Sequence, residues 1–155
     1  MKRTFIVDII CILFMILFLY TSVNKMMEYS VFKEQISESP ILAPISMPIA
    51  AGLPIIEMLL TIMLLIPRWR LIALYASLVM MTLFTMYVIA ILLFDKNLPC
   101  SCGGILAALS WPQHLIFNIT FIIFAIAGIW LEKKSMRQNN TYSTWNSTRE
   151  AKPRT

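Results

Sequence analysis

Four apolar runs, each close to the length that crosses a bilayer, constrain this chain more than any other feature. A helix rises about 1.5 Å per residue, so roughly 20 apolar residues cross about 30 Å of hydrocarbon. The runs are Thr4 to Val23 with Asp8 as the only charge, Ile49 to Ile66 with Glu57 inside, Leu71 to Phe94 with no charge, and Trp111 to Leu131 with His114 as the only titratable group. Backbone polar groups in lipid must be satisfied within their own segment, which predicts a helix for each run. Together the runs take more than half of the 155 residues and leave no room for a separate folded domain. Charged residues are only 14% and hydrophobic ones 59%. A soluble domain carries about 25% charged residues, so most of this exterior must face lipid. The predicted fold is an all-α membrane protein: a bundle of four transmembrane helices over residues 4–131, followed by a disordered tail over 132–155.

Lys2 and Arg3 before the first run raise the question of a cleaved leader. The apolar run exceeds the roughly 7–15 residues of a signal core, and Tyr20 to Asn24 lacks a small-x-small cleavage pattern. The segment is therefore expected to remain as a helix. Ten of the 13 Lys and Arg residues fall at the N-terminus, at Arg68 and Arg70, or in the tail, against Lys25, Lys33 and Lys96 in the other two connections. The positive-inside rule then predicts both termini in the cytoplasm. In a bacterial inner membrane the two longer connections would face the periplasm. The net charge of +5 thus encodes topology and does not form a nucleic-acid patch.

Between the first two runs, Tyr29, Phe32 and Ile36 fall at helical spacing and predict a short interfacial helix. Pro40, Pro44 and Pro48 should hold off regular helix until the second run, with Ser46 a candidate cap. Pro54 should kink that run. The short Pro67-Arg68-Trp69-Arg70 link predicts an antiparallel hairpin of the second and third spans.

The stretch richest in chemistry is Leu98-Pro99-Cys100-Ser101-Cys102-Gly103-Gly104. Bridging residues i and i+2 needs Cα atoms within about 6.8 Å, which a turn permits and full extension barely does. Such a small ring would be strained, and a strained disulfide exchanges readily. Two readings stay open: a redox pair that exchanges with a partner, or loop thiols whose disulfide only pins the loop. A metal centre is not expected, because two thiolates and His114 make three ligands and nothing nearby completes a tetrahedron.

His114 follows Ser110-Trp111-Pro112-Gln113, which resembles a capping box opening the fourth helix. It could assist a thiolate, hydrogen-bond a quinone carbonyl, or simply touch lipid headgroups. Glu57 is the deepest ionisable group, should face the bundle, and needs a partner. Lys25, just beyond the first run, is the nearest cation. Asp8 can reach the inner headgroups. Cys11 reads as a small apolar filler and the 11 methionines as packing residues.

Ser22-x-x-Lys25, Phe32, Pro54-x-x-Glu57 and Pro99-Cys100-Ser101-Cys102-Gly103-Gly104, followed by Trp111 and His114-Leu115-Ile116-Phe117-Asn118, resemble the MauE/DoxX-type redox-associated membrane proteins, in the form found in Bacteroidetes. The resemblance spans about Thr4 to Leu131. It implies a four-helix membrane bundle similar in outline to thiol-oxidising proteins that pass electrons to quinone, and a tie to methylamine utilisation through disulfide formation in a periplasmic partner. This chain has one Cys-x-Cys and no second pair in the outer connections, so a partner would supply the other thiols. The leading expectation is thiol–disulfide exchange by Cys100 and Cys102, with His114 tuning the thiolate and Glu57 and Lys25 in support. The alternative is a non-enzymatic assembly or accessory subunit. A small transporter using Glu57 ranks below both, because no pair of broken helices occurs in matching halves.

Overall fold

The computed structural model describes residues 2–38, 42–94 and 111–150. Cys100, Cys102 and the capping Ser110 lie outside them. Helix α1 spans Lys2–Met27, α2 Tyr29–Glu38, α3 Ser46–Leu65, α4 Arg70–Phe94 and α5 Trp111–Glu150. A short 3-10 turn, Ala43–Ile45, leads into α3. The four long helices each contain a stretch apolar enough to cross a membrane: Phe5–Met27, Ala43–Leu65, Arg70–Ala90 and Pro112–Gln138. This is an all-α, multi-pass membrane architecture.

The boundaries differ from the apolar runs in instructive ways. Helix α1 continues past Val23 because Asn24 to Met27 contains no breaker, and the Asn24 amide donates to the Tyr20 carbonyl at 2.8 Å. Lys25 therefore sits in the last turn of α1 and not beyond it. Ser46 does not cap α3: it is the first helical residue, and no side chain caps that end. Pro48 is tolerated in the first turn, where its missing N–H would have no intrahelical acceptor. Helix α5 runs on beyond Leu131 to Glu150. Between Gly128 and Pro153 the sequence holds no glycine or proline, so no residue there stops the helix.

Packing closes the four long helices into a ring. Helix α1 lies against α3 and α5, and α4 against α5 and α3, so α1 and α4 face each other diagonally. The link between α3 and α4 is a tight turn in which the Trp69 N–H donates to the Ile66 carbonyl at 3.0 Å. Along α1 the buried positions Val7, Cys11, Phe14, Phe18, Ser22 and Lys25 recur every three or four residues and form one inward stripe. The core gathers Cys11, Phe14 and Phe18 with Leu60, Leu64, Leu74, Met81 and Ala125. Phe14 meets Phe121 of α5 edge-on, with ring centroids 5.2 Å apart. Ile16, Leu65, Ile72, Leu83 and Ile116 point outward, as lipid-facing residues should. Hydroxyls inside the spans are satisfied locally: Thr61, Ser77, Thr85 and Thr120 each donate to the carbonyl four residues earlier.

The predicted short helix is present as α2. Phe32 and Ile36 are its buried side chains and pack on Ala50, Ile49 and Leu53 at the start of α3.

Candidate functional site

Within the bundle, α1 brings Lys25 inward and α3 brings Glu57, and the Lys25 Nζ donates to Glu57 Oε1. Both are almost wholly buried, at 3% and 1% side-chain exposure. A charge in the apolar interior is tolerable only when paired, and this pair neutralises itself. The Lys25 ammonium also lies 5.5 Å from the Phe32 ring centroid and 5.1 Å from that of Phe84. Two aromatic faces and one carboxylate thus surround it, replacing part of the hydration it has lost.

The other carboxylate oxygen of Glu57 has no hydrogen-bond partner among the described residues. Glu57 lines a cleft of about 350 Å³, open mouth included, between α1, α3, α4 and α5. His114 and Asn118, one turn apart on α5, line the same cavity and are buried. That burial removes His114 from a headgroup-touching role. Thr21, one turn before Lys25, adds a hydroxyl that donates to the Phe18 carbonyl at 3.3 Å. The Asn118 amide nitrogen has no partner among the described residues.

The sequence-derived candidates therefore divide. Lys25, Glu57 and His114 converge on one cavity, while Cys100 and Cys102 lie outside the described residues. Asn118, Thr21 and Phe84 belong to the cavity wall as well, and sequence reasoning gave them no role. Two of them had a usable trace: Asn118 follows His114 by four residues and Thr21 precedes Lys25 by four, so each pair shares a helix face.

At the opposite end of the bundle, Arg70 at the start of α4 places Nη1 2.8 Å from Oδ1 of Asp8 on α1. Asp8 thus pairs across the helix ring, although it remains 46% exposed.

A family model described as methylamine utilisation protein MauE matches residues 3–131, which cover all four apolar stretches up to Leu131. The chain belongs to the MauE family. No curated protein and no solved structure matches it. MauE membership and the four spans fit a membrane accessory protein associated with methylamine utilisation. The matched range ends before the polar part of α5, so the family's share of this chain is the bundle itself.

Proposed function

We propose that this MauE-family protein carries out thiol–disulfide exchange at the membrane surface through Cys100 and Cys102. One observation supports this reading above the rest. The segment holding the two cysteines leaves from Phe94 and returns at Trp111, at the bundle end that carries the Lys25–Glu57 pair and His114. Cys102 stands nine residues before Trp111, a tether of at most about 30 Å. The thiols therefore stay tied to the end of the bundle where the buried polar groups collect.

In the proposed cycle, a thiolate from one cysteine attacks a partner disulfide, forms a mixed disulfide and releases one partner sulfur as thiolate. The second cysteine then displaces the other partner sulfur. The Cys100–Cys102 pair ends oxidised, and the partner is reduced by two electrons and, once protonated, two protons. Run the other way, the Cys100–Cys102 disulfide oxidises a partner dithiol. Its two electrons and two protons then pass to a quinone, which becomes the quinol. His114 serves as a proton acceptor near the exchanging thiol, and the Lys25–Glu57 pair holds the surrounding helices in register. The partner is a periplasmic protein whose disulfides need forming, and the loop faces the periplasm of a bacterial inner membrane.

The test is trapping in cells. In Cys100→Ser and Cys102→Ser variants, one cysteine remains to hold a mixed disulfide, and each variant should accumulate a partner adduct that reductant releases while losing turnover. Wild-type activity in both variants ends this reading. It leaves the accessory role that family membership already fits, in which a Cys100→Ser/Cys102→Ser double variant still complements a deletion.

A further inference from the structure

At the end of the bundle where α4 begins, two lysines of α5 lie against aromatic rings on the outer surface. The Lys133 ammonium is 5.1 Å from the centroid of the Tyr75 ring on α4, and the Lys134 ammonium is 4.9 Å from that of Trp130. Both lysines are exposed, as are both rings. Neither ammonium pairs with a carboxylate among the described residues. Arg70, at the start of α4, differs because Asp8 already takes its charge. A lysine near the end of a span ordinarily carries its charge outward to water. These two lie over rings instead, which keeps two uncompensated positive charges beside the apolar belt.

The two rings belong to apolar stripes. Ile72, Tyr75 and Val79 share one exposed face of α4, and Ile123, Ile126 and Trp130 share one of α5. The two helices pack against each other, and the Lys133–Tyr75 contact joins the two faces at this end. The surface is therefore an apolar seam with two ammonium groups at its head. A phospholipid has the matching order, acyl chains along the seam and a phosphodiester at the top. The phosphate oxygens accept from both ammonium groups while the chains lie on the exposed apolar side chains. Charge then selects the headgroup. An ethanolamine or choline head would bring its own cation to a place that already holds two, whereas an anionic head brings none.

We infer that the α4–α5 seam binds an anionic phospholipid, with its phosphodiester held by Lys133 and Lys134 and its chains against the exposed faces of both helices. The site lies at the opposite end of the bundle from the roots of the cysteine segment. It rests neither on the thiol reading nor on which compartment this end faces.

Native mass spectrometry of the full chain released from detergent micelles tests this, with phosphatidylglycerol and phosphatidylethanolamine of identical acyl chains added in parallel. The first phosphatidylglycerol should bind about tenfold more tightly than the first phosphatidylethanolamine. Lys133→Gln and Lys134→Gln should each weaken phosphatidylglycerol binding about fivefold, and the double variant should bring the two lipids level. Lys133→Arg/Lys134→Arg should keep the preference, because guanidinium groups keep the charge and stack on the same rings. Lys33, exposed on α2, lies at the other end of the bundle, so Lys33→Gln removes an equal charge and should change nothing. Equal binding of the two lipids overturns the inference and leaves only general lipid contact. An equal loss in Lys33→Gln and Lys133→Gln overturns it too, in favour of diffuse attraction by net charge. Inorganic phosphate added in competition should leave the lipid adducts in place. If phosphate removes them, the lysines hold a free anion and the lipid assignment falls. The comparison of the two lipids uses the unsubstituted chain, so it decides the matter even where the double glutamine variant fails to fold.

Discussion

Lys25 and Glu57 show how one residue pair governs this protein. Taking a carboxylate and an ammonium out of water costs several kcal/mol per ion, and their attraction repays it only while both are present. Lys25→Met leaves Glu57 unpartnered and should destabilise the bundle by about 3–5 kcal/mol, and Glu57→Leu should cost a similar amount. The double variant should recover most of the loss, since an apolar pair of similar volume carries no desolvation penalty. Denaturant unfolding in mixed micelles measures all three, and a double variant as unstable as the sum of the singles would refute the account. This pair was legible in the sequence because a charge inside an apolar run demands a partner. Asn118 was not, because an amide in a helix of this kind can satisfy itself on its own backbone. Phe84 was hidden for a plainer reason: one phenylalanine in an apolar helix carries no mark of the face it takes. The partner of Asp8 was not legible, since only the ring of helices reveals that Arg70 starts beside it.

At the scale of helices, close approach depends on small residues. A Cβ added at Gly128 of α5 would lie 3.3 Å from Ile10 Cγ2 of α1 and 3.4 Å from Leu74 Cδ2 of α4. The glycine thus sits where three helices meet. Gly128→Val should destabilise the bundle by about 1–3 kcal/mol through overpacking, read as a lower unfolding midpoint. Gly52 of α3 is the contrasting case, because nothing lies within 4 Å of an added Cβ. Gly52→Ala should stabilise by about 0.5–1 kcal/mol, since alanine loses less conformational freedom in a helix. An equal gain from Gly128→Ala and Gly52→Ala would show that helix propensity, and not the three-helix contact, sets the response. The existence of the four long helices could be read from their apolar runs. Their ends could not, because α1 and α5 run into polar sequence that lacks any stop, and apolar content marks the membrane and not the helix.

The whole molecule has two unlike ends. One holds the cavity and the roots of the cysteine segment, and the other holds the half-buried Arg70–Asp8 pair. The number of spans was readable from sequence, but the ring order was only partly so. The short link fixes α3 beside α4, whereas the placement of α1 against both α3 and α5 depends on which faces interlock. The charge bias predicts that the cavity end faces away from the cytoplasm. In intact cells treated with mild reductant, a membrane-impermeant maleimide should label Cys100 and Cys102. In a Cys100→Ser/Cys102→Ser background, Gln138→Cys should label only after permeabilisation. Cys11, at 1% exposure, should stay unlabelled in the folded protein and serves as an internal control. The reverse pattern would invert the orientation and move the proposed exchange to the other compartment.

The buried ion pair also has a consequence for biogenesis. Helix α1 is synthesised before α3, so for a time the growing chain holds an amine near the end of its first span with no acid to meet it. The Lys25 stem can keep that amine in the headgroup layer while it waits. Glu57 then arrives on a later span and can settle in the hydrocarbon as an anion only by finding the amine. Docking of the second span on the first is thereby coupled to charge neutralisation.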